Sequence, residues 1–274
     1  MWKWETDREA KGVIVIVHNM LEHTGRYAFV ITQLRRSGYH VIMGDLPGQG
    51  QTSRMHKGQI EHFEVYHERV LEWLSIAEEY HLPIFMIGVG LGGLISVNLL
   101  EKIELRLEGL ILLSPLLAFI NNNQTRRHTL MSNIGDISKN AKFNFDIKYE
   151  DLTRNNEVLE DTYNDALMLK KVSYHWYQEV VQTMKLTFDN RENIKDIPLC
   201  IMCGSQDRIS DIDVSATFSK QPQFSEVLFK VWDGLNHEIH NEPERDIVMK
   251  YILSFLNNRV YASGFLFDDE NALS

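Results

Sequence analysis

What this chain lacks narrows its chemistry before any motif is read. Basic charge is short: 28 Lys and Arg stand against 38 Asp and Glu, a formal net charge of −10 over 274 residues. Phosphate backbones are held by clustered cations, so nucleic acid is excluded as a partner. The basic pairs Arg35-Arg36, Arg126-Arg127 and Lys170-Lys171 are scattered and read as solvated helix faces. No apolar run reaches the roughly 18 residues of a membrane span. The opening MWKWETDREAKG is too polar for a secretory signal, which makes the cytoplasm the expected compartment. Cysteine is limited to Cys200 and Cys203, in LCIMCGSQD. On a strand, residues three apart face opposite ways, which suits neither a redox turn nor a zinc site, and no second ligand pair accompanies them. Two buried structural thiols are expected, with no cofactor and no metal.

What is present is an alternation. Short, continuously apolar runs recur at 13–17, 40–43, 83–88, 109–114, 198–204 and 227–232, the mark of parallel strands buried on both faces. Helical spacing fills the gaps. Tyr27, Val30, Ile31 and Leu34 share one face; so do Val70, Trp73, Leu74 and Ala77, and again Val248, Tyr251, Ile252 and Phe255. Asn241 and Pro243 are expected to start the last helix, and fraying is expected after Phe255. The pattern predicts a doubly wound, mostly parallel α/β sheet. One stretch breaks the rhythm. Between Ser114-Pro115 and Pro198 no core strand is legible; an asparagine-rich FINNNQTRRH gives way to scattered aromatics. So long a segment is not a bare loop. It reads as a mainly helical insertion over the carboxyl edge of the sheet, where ligands bind in such folds, with plain packing helices as the alternative. The division expected is core at 1–117, insertion at 118–196, core again at 197–258 and a tail at 259–274.

The stretch GVGLGG (88–93) between a strand and a helix has two parses. As G-x-G-x-x-G it would be a dinucleotide loop. That requires an acid near the end of the next strand to hold the ribose, and GLILLS ends in Ser114-Pro115 without one. As G-x-S-x-G it is a nucleophile elbow, a sharp strand-to-helix turn that demands tiny residues around its centre. Gly88, Gly92 and Gly93 meet that demand, and Gly90 stands where the nucleophile would be. The chain order of that fold is nucleophile, acid, histidine. Asp207 follows in a polar turn after one strand and His237 in the loop after the last, with His240 a neighbour expected to cap or face solvent. The backbone N–H groups of Leu91 and Met20 are the candidate oxyanion donors.

With these pieces in order, the chain resembles the α/β-hydrolases of monoacylglycerol lipase and lysophospholipase type. The resemblance is carried by His18, Glu22-His23, Gly25-Arg26-Tyr27, GDLPGQGQT (44–52), the elbow, GSQD and GLNHEIHNEPER. It implies Asp207 and His237 as triad members, a cap over the sheet, a small acyl or ester ligand beneath it and at most transient contact with a membrane surface. The departures fall at the chemistry. The family's His-Gly is His18-Asn19 here, and its G-H-S-M-G-G has Val89, Gly90 and Leu91 in place of His, Ser and Met. Changes spread over two loops read as divergence rather than as one inactivating exchange.

Glycine has no oxygen to attack a carbonyl and carry an acyl group, so acyl-enzyme chemistry at Gly90 is excluded. Three functions stay open: an impaired homologue that keeps an acyl or ester pocket; a hydrolase or lyase using the His237–Asp207 dyad as general base; and a borrowed nucleophile, for which no residue stands out. The oligomeric state stays open too.

Overall fold

The computed structural model describes residues 1–52, 55–120 and 141–262. Part of the asparagine-rich stretch, with Arg126-Arg127, lies outside them. In chain order the main elements are β1 (Trp2–Trp4), β2 (Gly12–Val17), α1 (Ala28–Arg36), β3 (Tyr39–Met43), α2 (Glu64–Glu78), β4 (Ile84–Val89), α3 (Leu91–Lys102) and β5 (Gly109–Leu113). There follow β6 (Lys142–Asn144), α4 (Tyr149–Leu152), α5 (Asn156–Asn164), β7 (Lys171–Ser173), α6 (Tyr174–Asn190), β8 (Leu199–Gly204), α7 (Ile212–Phe218), β9 (Val227–Trp232) and α8 (Arg245–Ala262).

Seven strands form one sheet in the order β1-β3-β2-β4-β5-β8-β9, parallel except for the edge strand β1. The inner strands are buried along their whole length, and their side chains divide between two cores. Val13, Val15 and Val17 face one side with Trp73, Leu94 and Leu99; Ile14 and Ile16 face the other with Leu34, Val248 and Ile252. Helices therefore cover both faces, as continuously apolar strands require. Cys200 and Cys203 are free and buried in β8, one in each core. Burial pushes both thiols up to about 12, which makes them inert at neutral pH.

The segment between β5 and β8 holds α4, α5 and α6, together with a two-stranded antiparallel ribbon of β6 and β7 outside the main sheet. Its strands are three residues each, too short to leave a periodic signal. The ribbon packs aromatics: Phe143 stacks on Tyr174 at 4.6 Å and lies edge-on to Tyr177 at 5.9 Å. Helix α6 starts cleanly because the Ser173 hydroxyl accepts the Trp176 N–H at 3.0 Å. It is pinned to the core where Trp176 Nε1 donates to Tyr66 Oη at 2.8 Å and Asn98 Nδ2 to Thr187 Oγ1 at 2.9 Å.

The last helix differs from expectation at both ends. It begins at Arg245, not at Asn241 and Pro243, because the Asn241 side chain is drawn inward to donate to Glu238 Oε2 at 2.8 Å. Tyr251 is 40 % exposed and packs edge-on against Trp232 of the edge strand β9, outside the apolar stripe. Nor does the helix fray after Phe255: it runs to Ala262, with Leu256 and Val260 buried in the core that Val248 and Ile252 share. Leu256→Ala is therefore expected to cost about 2–5 kcal/mol in urea denaturation, the ordinary loss for a buried leucine; a loss under about 0.5 kcal/mol would mean that this turn is frayed in solution.

Candidate functional site

The site grows out of a close approach of main chain. Strand β4 enters α3 through Gly90, whose φ of 50° belongs to the left-handed region that a side chain enters only with strain. The turn is walled by backbone on both sides. A Cβ on Gly92 would stand 2.0 Å from the Val17 carbonyl oxygen, and one on Gly88 2.8 Å from that of Gly92; one on Gly93 would stand 2.8 Å from Pro115 Cβ. Without side chains there, the first turn of α3 lies directly against the end of β2. The N–H of Leu91 and the N–H of Met20 consequently converge on one point.

Asp207 and His237 meet beside that point, although β9 separates them in sequence. Asp207 sits in the turn after β8, where its Oδ1 accepts the N–H groups of Ile209 at 2.8 Å and Ser210 at 3.0 Å. Its Oδ2 is 2.8 Å from His237 Nδ1, and both side chains are fully buried. A carboxylate in this position fixes the tautomer with the proton on Nδ1 and leaves Nε2 as an acceptor. Burial opposes the imidazolium, but the Asp207 charge and hydrogen bond outweigh it and hold the His237 pKa above its ordinary value.

Asn19, visible in sequence only as an unusual neighbour of His18, occupies the centre. Its Oδ1 accepts Met20 N–H at 2.8 Å and Leu91 N–H at 3.0 Å, and its Nδ2 donates to His237 Nε2 at 3.0 Å. The amide can take only this orientation. A flipped carboxamide would set NH2 against two N–H donors and a carbonyl against a ring acceptor. A Cβ placed on Gly90 would fall 1.9 Å from this same Oδ1 and 2.3 Å from Cγ. A seated Asn19 and a side chain at 90 therefore exclude each other. The paired departures at 19 and 90 were the sequence signal for this arrangement.

A buried polar frame holds the Asn19 loop. Asn19 N–H donates to Glu22 Oε1 at 2.7 Å, which also accepts Tyr27 Oη at 2.6 Å. Arg26 bridges Glu22 at 2.9 Å and Glu238 at 2.6 Å, and it reaches Thr162 Oγ1 in the segment between β5 and β8. Burial and the neighbouring Glu238 raise the Glu22 pKa, whereas at Glu238 the cost of burial is outweighed by Arg26, which holds that group low. His18 completes the frame: its Nδ1 lies 2.6 Å from Asn19 O and its Nε2 accepts Leu46 N–H at 2.9 Å. Burial pushes His18 down to about 4, so the ring is neutral at physiological pH.

On the solvent side of Asn19 lies a cavity of about 340 Å³; apolar Met20, Leu21, Phe145, Ile147, Met168 and Leu169 share its wall with charged Asp146, Lys148, Glu150 and Lys170. Asn19 stands at its inner end and is 1 % exposed; His237, behind it, is 0 % exposed. Among the described residues no cluster of three or more His, Cys, Asp or Glu could hold a metal ion, and no helix is long and apolar enough to cross a membrane.

His240 departs from expectation: it neither caps nor faces solvent, but is 0 % exposed and stacked on Tyr27 with ring centroids 5.1 Å apart. Neither ring nitrogen has a hydrogen-bond partner among the described residues, and burial pushes the pKa down to about 4. The folded value lies below the unfolded one, so the unfolded chain binds the extra proton and stability falls as pH drops from about 6.5 to about 4. His240→Phe, which keeps the stack, should gain on the parent by about 1.4 kcal/mol per pH unit through that window. Paired denaturation curves at pH 7 and pH 4.5 check this; parallel losses in the two proteins would show that His240 does not titrate on unfolding.

Residues 8–244 match the family described as serine aminopeptidase, S33. Phospholipase YtpA of Bacillus subtilis is 34 % identical over 261 residues, spanning 95 % of this chain and 100 % of that protein. The mouse monoglyceride lipase is 24 % identical over 266 residues, 95 % of this chain and 87 % of that protein. Among solved structures, monoacylglycerol lipase from Paleococcus ferrophilus superposes with a TM-score of 0.82 at 24 % identity, over 94 % of this chain and 98 % of that one. A soluble variant of the Saccharomyces cerevisiae monoglyceride lipase, in complex with a substrate analogue, reaches 0.85 at 20 % identity, over 94 % and 90 %. The doubly wound sheet with its mainly helical insertion is thus the α/β-hydrolase fold, and the chain belongs to the serine aminopeptidase S33 family of lipase- and phospholipase-like hydrolases.

Proposed function

We propose that this member of the family binds acyl or ester ligands in the cavity beneath the segment between β5 and β8, and that it forms no acyl-enzyme. One observation carries the reading: the elbow has no oxygen at Gly90, and the Asn19 carboxamide fills the space where a nucleophile and a substrate carbonyl would meet. The ligand class is supported by the apolar part of the cavity wall and by relatives named as a phospholipase and a monoglyceride lipase. In a serine protease, loss of the nucleophile costs on the order of a millionfold in turnover. Here the oxyanion donors are occupied as well, which removes the residual help they would give. Asp207, His237 and the N–H groups of Met20 and Leu91 persist in this reading as the polar end of a binding site.

A second reading has its own support in the 2.8 Å His237–Asp207 contact, which would suit a general base acting on water. It requires Asn19 to vacate His237 Nε2, since that nitrogen has one lone pair and the amide already uses it.

Serine-directed fluorophosphonate labelling and turnover of short acyl esters separate these readings. The parent is expected to show neither. Gly90→Ser alone is expected to stay near background, because the new Cβ collides with Asn19 and the left-handed backbone adds strain of about 1–3 kcal/mol. Gly90→Ser with Asn19→Gly should both label and turn over, at least 100-fold above either single variant. Labelling of the parent would overturn the proposal. Ester turnover without labelling, lost in His237→Ala and raised in Asn19→Gly, would establish the general-base reading instead.

A further inference from the structure

The seated carboxamide describes the ligand that would replace it. We infer that the polar end of this site is a receptor for free carboxylates carrying an apolar chain, with Asn19 as an intramolecular competitor that leaves when the acid enters. This rests on the acyl-binding reading above and adds to it the chemical form of the ligand.

A carboxylate is planar and nearly isosteric with a primary amide, and differs only where NH2 becomes a second oxygen. One oxygen, beside the place that Asn19 Oδ1 leaves, takes over the N–H groups of Met20 and Leu91, which reach that Oδ1 at 2.8 Å and 3.0 Å. The other oxygen turns to His237 Nε2, now 3.0 Å from the Asn19 amide nitrogen. An acceptor there requires a proton on Nε2, which solvent supplies: one carboxylate and one proton enter, leaving an imidazolium between the ligand and Asp207. The site tolerates that cation. Asp207 is in contact with it, and the acids Glu238 and Glu22 lie beyond, with Arg26 between them and neutral His240 on the far side. Burying an ion pair together with its hydrogen bonds is also far less costly than burying either charge alone. An ester fits the same donors less well. Its carbonyl can take the two N–H groups, but its alkoxy oxygen is a poor acceptor and carries a substituent against the His237 ring. The absent side chain at Gly90 completes the fit, because a serine oxygen would compete for Nε2 and crowd the second oxygen.

Asn19 is positioned to give way. Its main chain is held by Glu22, Tyr27 and His18, so its Cβ stays, the carboxamide turns about it into the cavity that Asn19 borders, and the oxygens of the acid settle beside the vacated positions, clear of that Cβ. The chain of the acid then lies along Phe145, Ile147, Met168 and Leu169.

The test is calorimetric titration of the parent, Asn19→Gly and Asn19→Asp with octanoate, octanamide and methyl octanoate. Octanoate is expected to bind with uptake of a proton, read from the dependence of the heat on buffer ionisation. Its affinity should fall by up to tenfold per pH unit once free His237 is neutral, while octanamide shows no such slope. Asn19→Gly removes the competitor and should tighten octanoate at least tenfold. Asn19→Asp, which tethers a carboxylate at the same donors, should weaken it at least tenfold while leaving the fold intact by circular dichroism. Methyl octanoate binding as tightly as octanoate, without proton uptake, would overturn the carboxylate inference and leave the acyl-binding reading standing. No binding of any of the three to the parent or to Asn19→Gly would overturn both.

Discussion

Everything at the centre of this protein depends on how closely two pieces of main chain approach each other. The first turn of α3 lies so near the end of β2 that a methyl group on Gly92 would overlap the Val17 carbonyl. That contact, and not any side chain, directs the N–H groups of Met20 and Leu91 at one point. Two donors aimed at one point in a dry interior are costly unless an acceptor fills the gap. Water, a ligand or a side chain can do so; here Asn19 does. Its carboxamide also answers the Nε2 acceptor of His237, so that one side chain satisfies three polar groups that two loops and an elbow present together.

Glycine at 90 and asparagine at 19 are then two aspects of one solution. With a side chain at 90 the amide could not be seated; with the amide absent, a bare elbow would leave buried donors and a buried imidazole unsatisfied. Backbone strain points the same way, since φ of 50° is free for glycine and costly for serine. On the proposed reading, a fold with no nucleophile to keep gains stability at both positions together. The coupling is local and steric, the kind for which single substitutions mislead and double-mutant cycles inform.

How much of this was legible in the sequence follows from what each feature depends on. The six apolar runs are strands; in the five inner ones burial on both faces imposes a simple demand on composition, whereas β9 lies half-exposed at the sheet edge. β1, β6 and β7 were not legible, because three residues at a sheet edge or in a ribbon carry no period. The positions of Gly90, Asp207 and His237 were legible because a strand-to-helix elbow and two strand-end loops have chain-order signatures. Asn19 was visible as a departure, yet its partners were not, since a carboxamide's neighbours are set by tertiary contact. His240 was misread for the same reason. A histidine in a polar loop resembles a surface residue until Tyr27, more than two hundred positions away in sequence, is found beneath it. The end of α8 was misread because Leu256 and Val260 are buried by strands that the local sequence does not contain.

The buried acids explain why the Asn19 loop keeps its shape around so many polar groups. Glu22 and Glu238 each face Arg26, and neither carboxylate could be buried alone without a penalty of several kcal/mol. Their arrangement does more than neutralise charge. Glu22 accepts the Asn19 main-chain N–H, Glu238 is the residue after His237, and Arg26 reaches Thr162 in the segment between β5 and β8. The guanidinium thus ties together the loop that carries the amide, the loop that carries the histidine and the segment that borders the cavity. A planar, permanently charged fork can hold three such elements at fixed angles, which a lysine's flexible point charge could not. The rigidity resides in this ion cluster behind the site. On the proposed reading the part that moves is the Asn19 carboxamide in front of it, and ligand exchange then leaves the fold undisturbed.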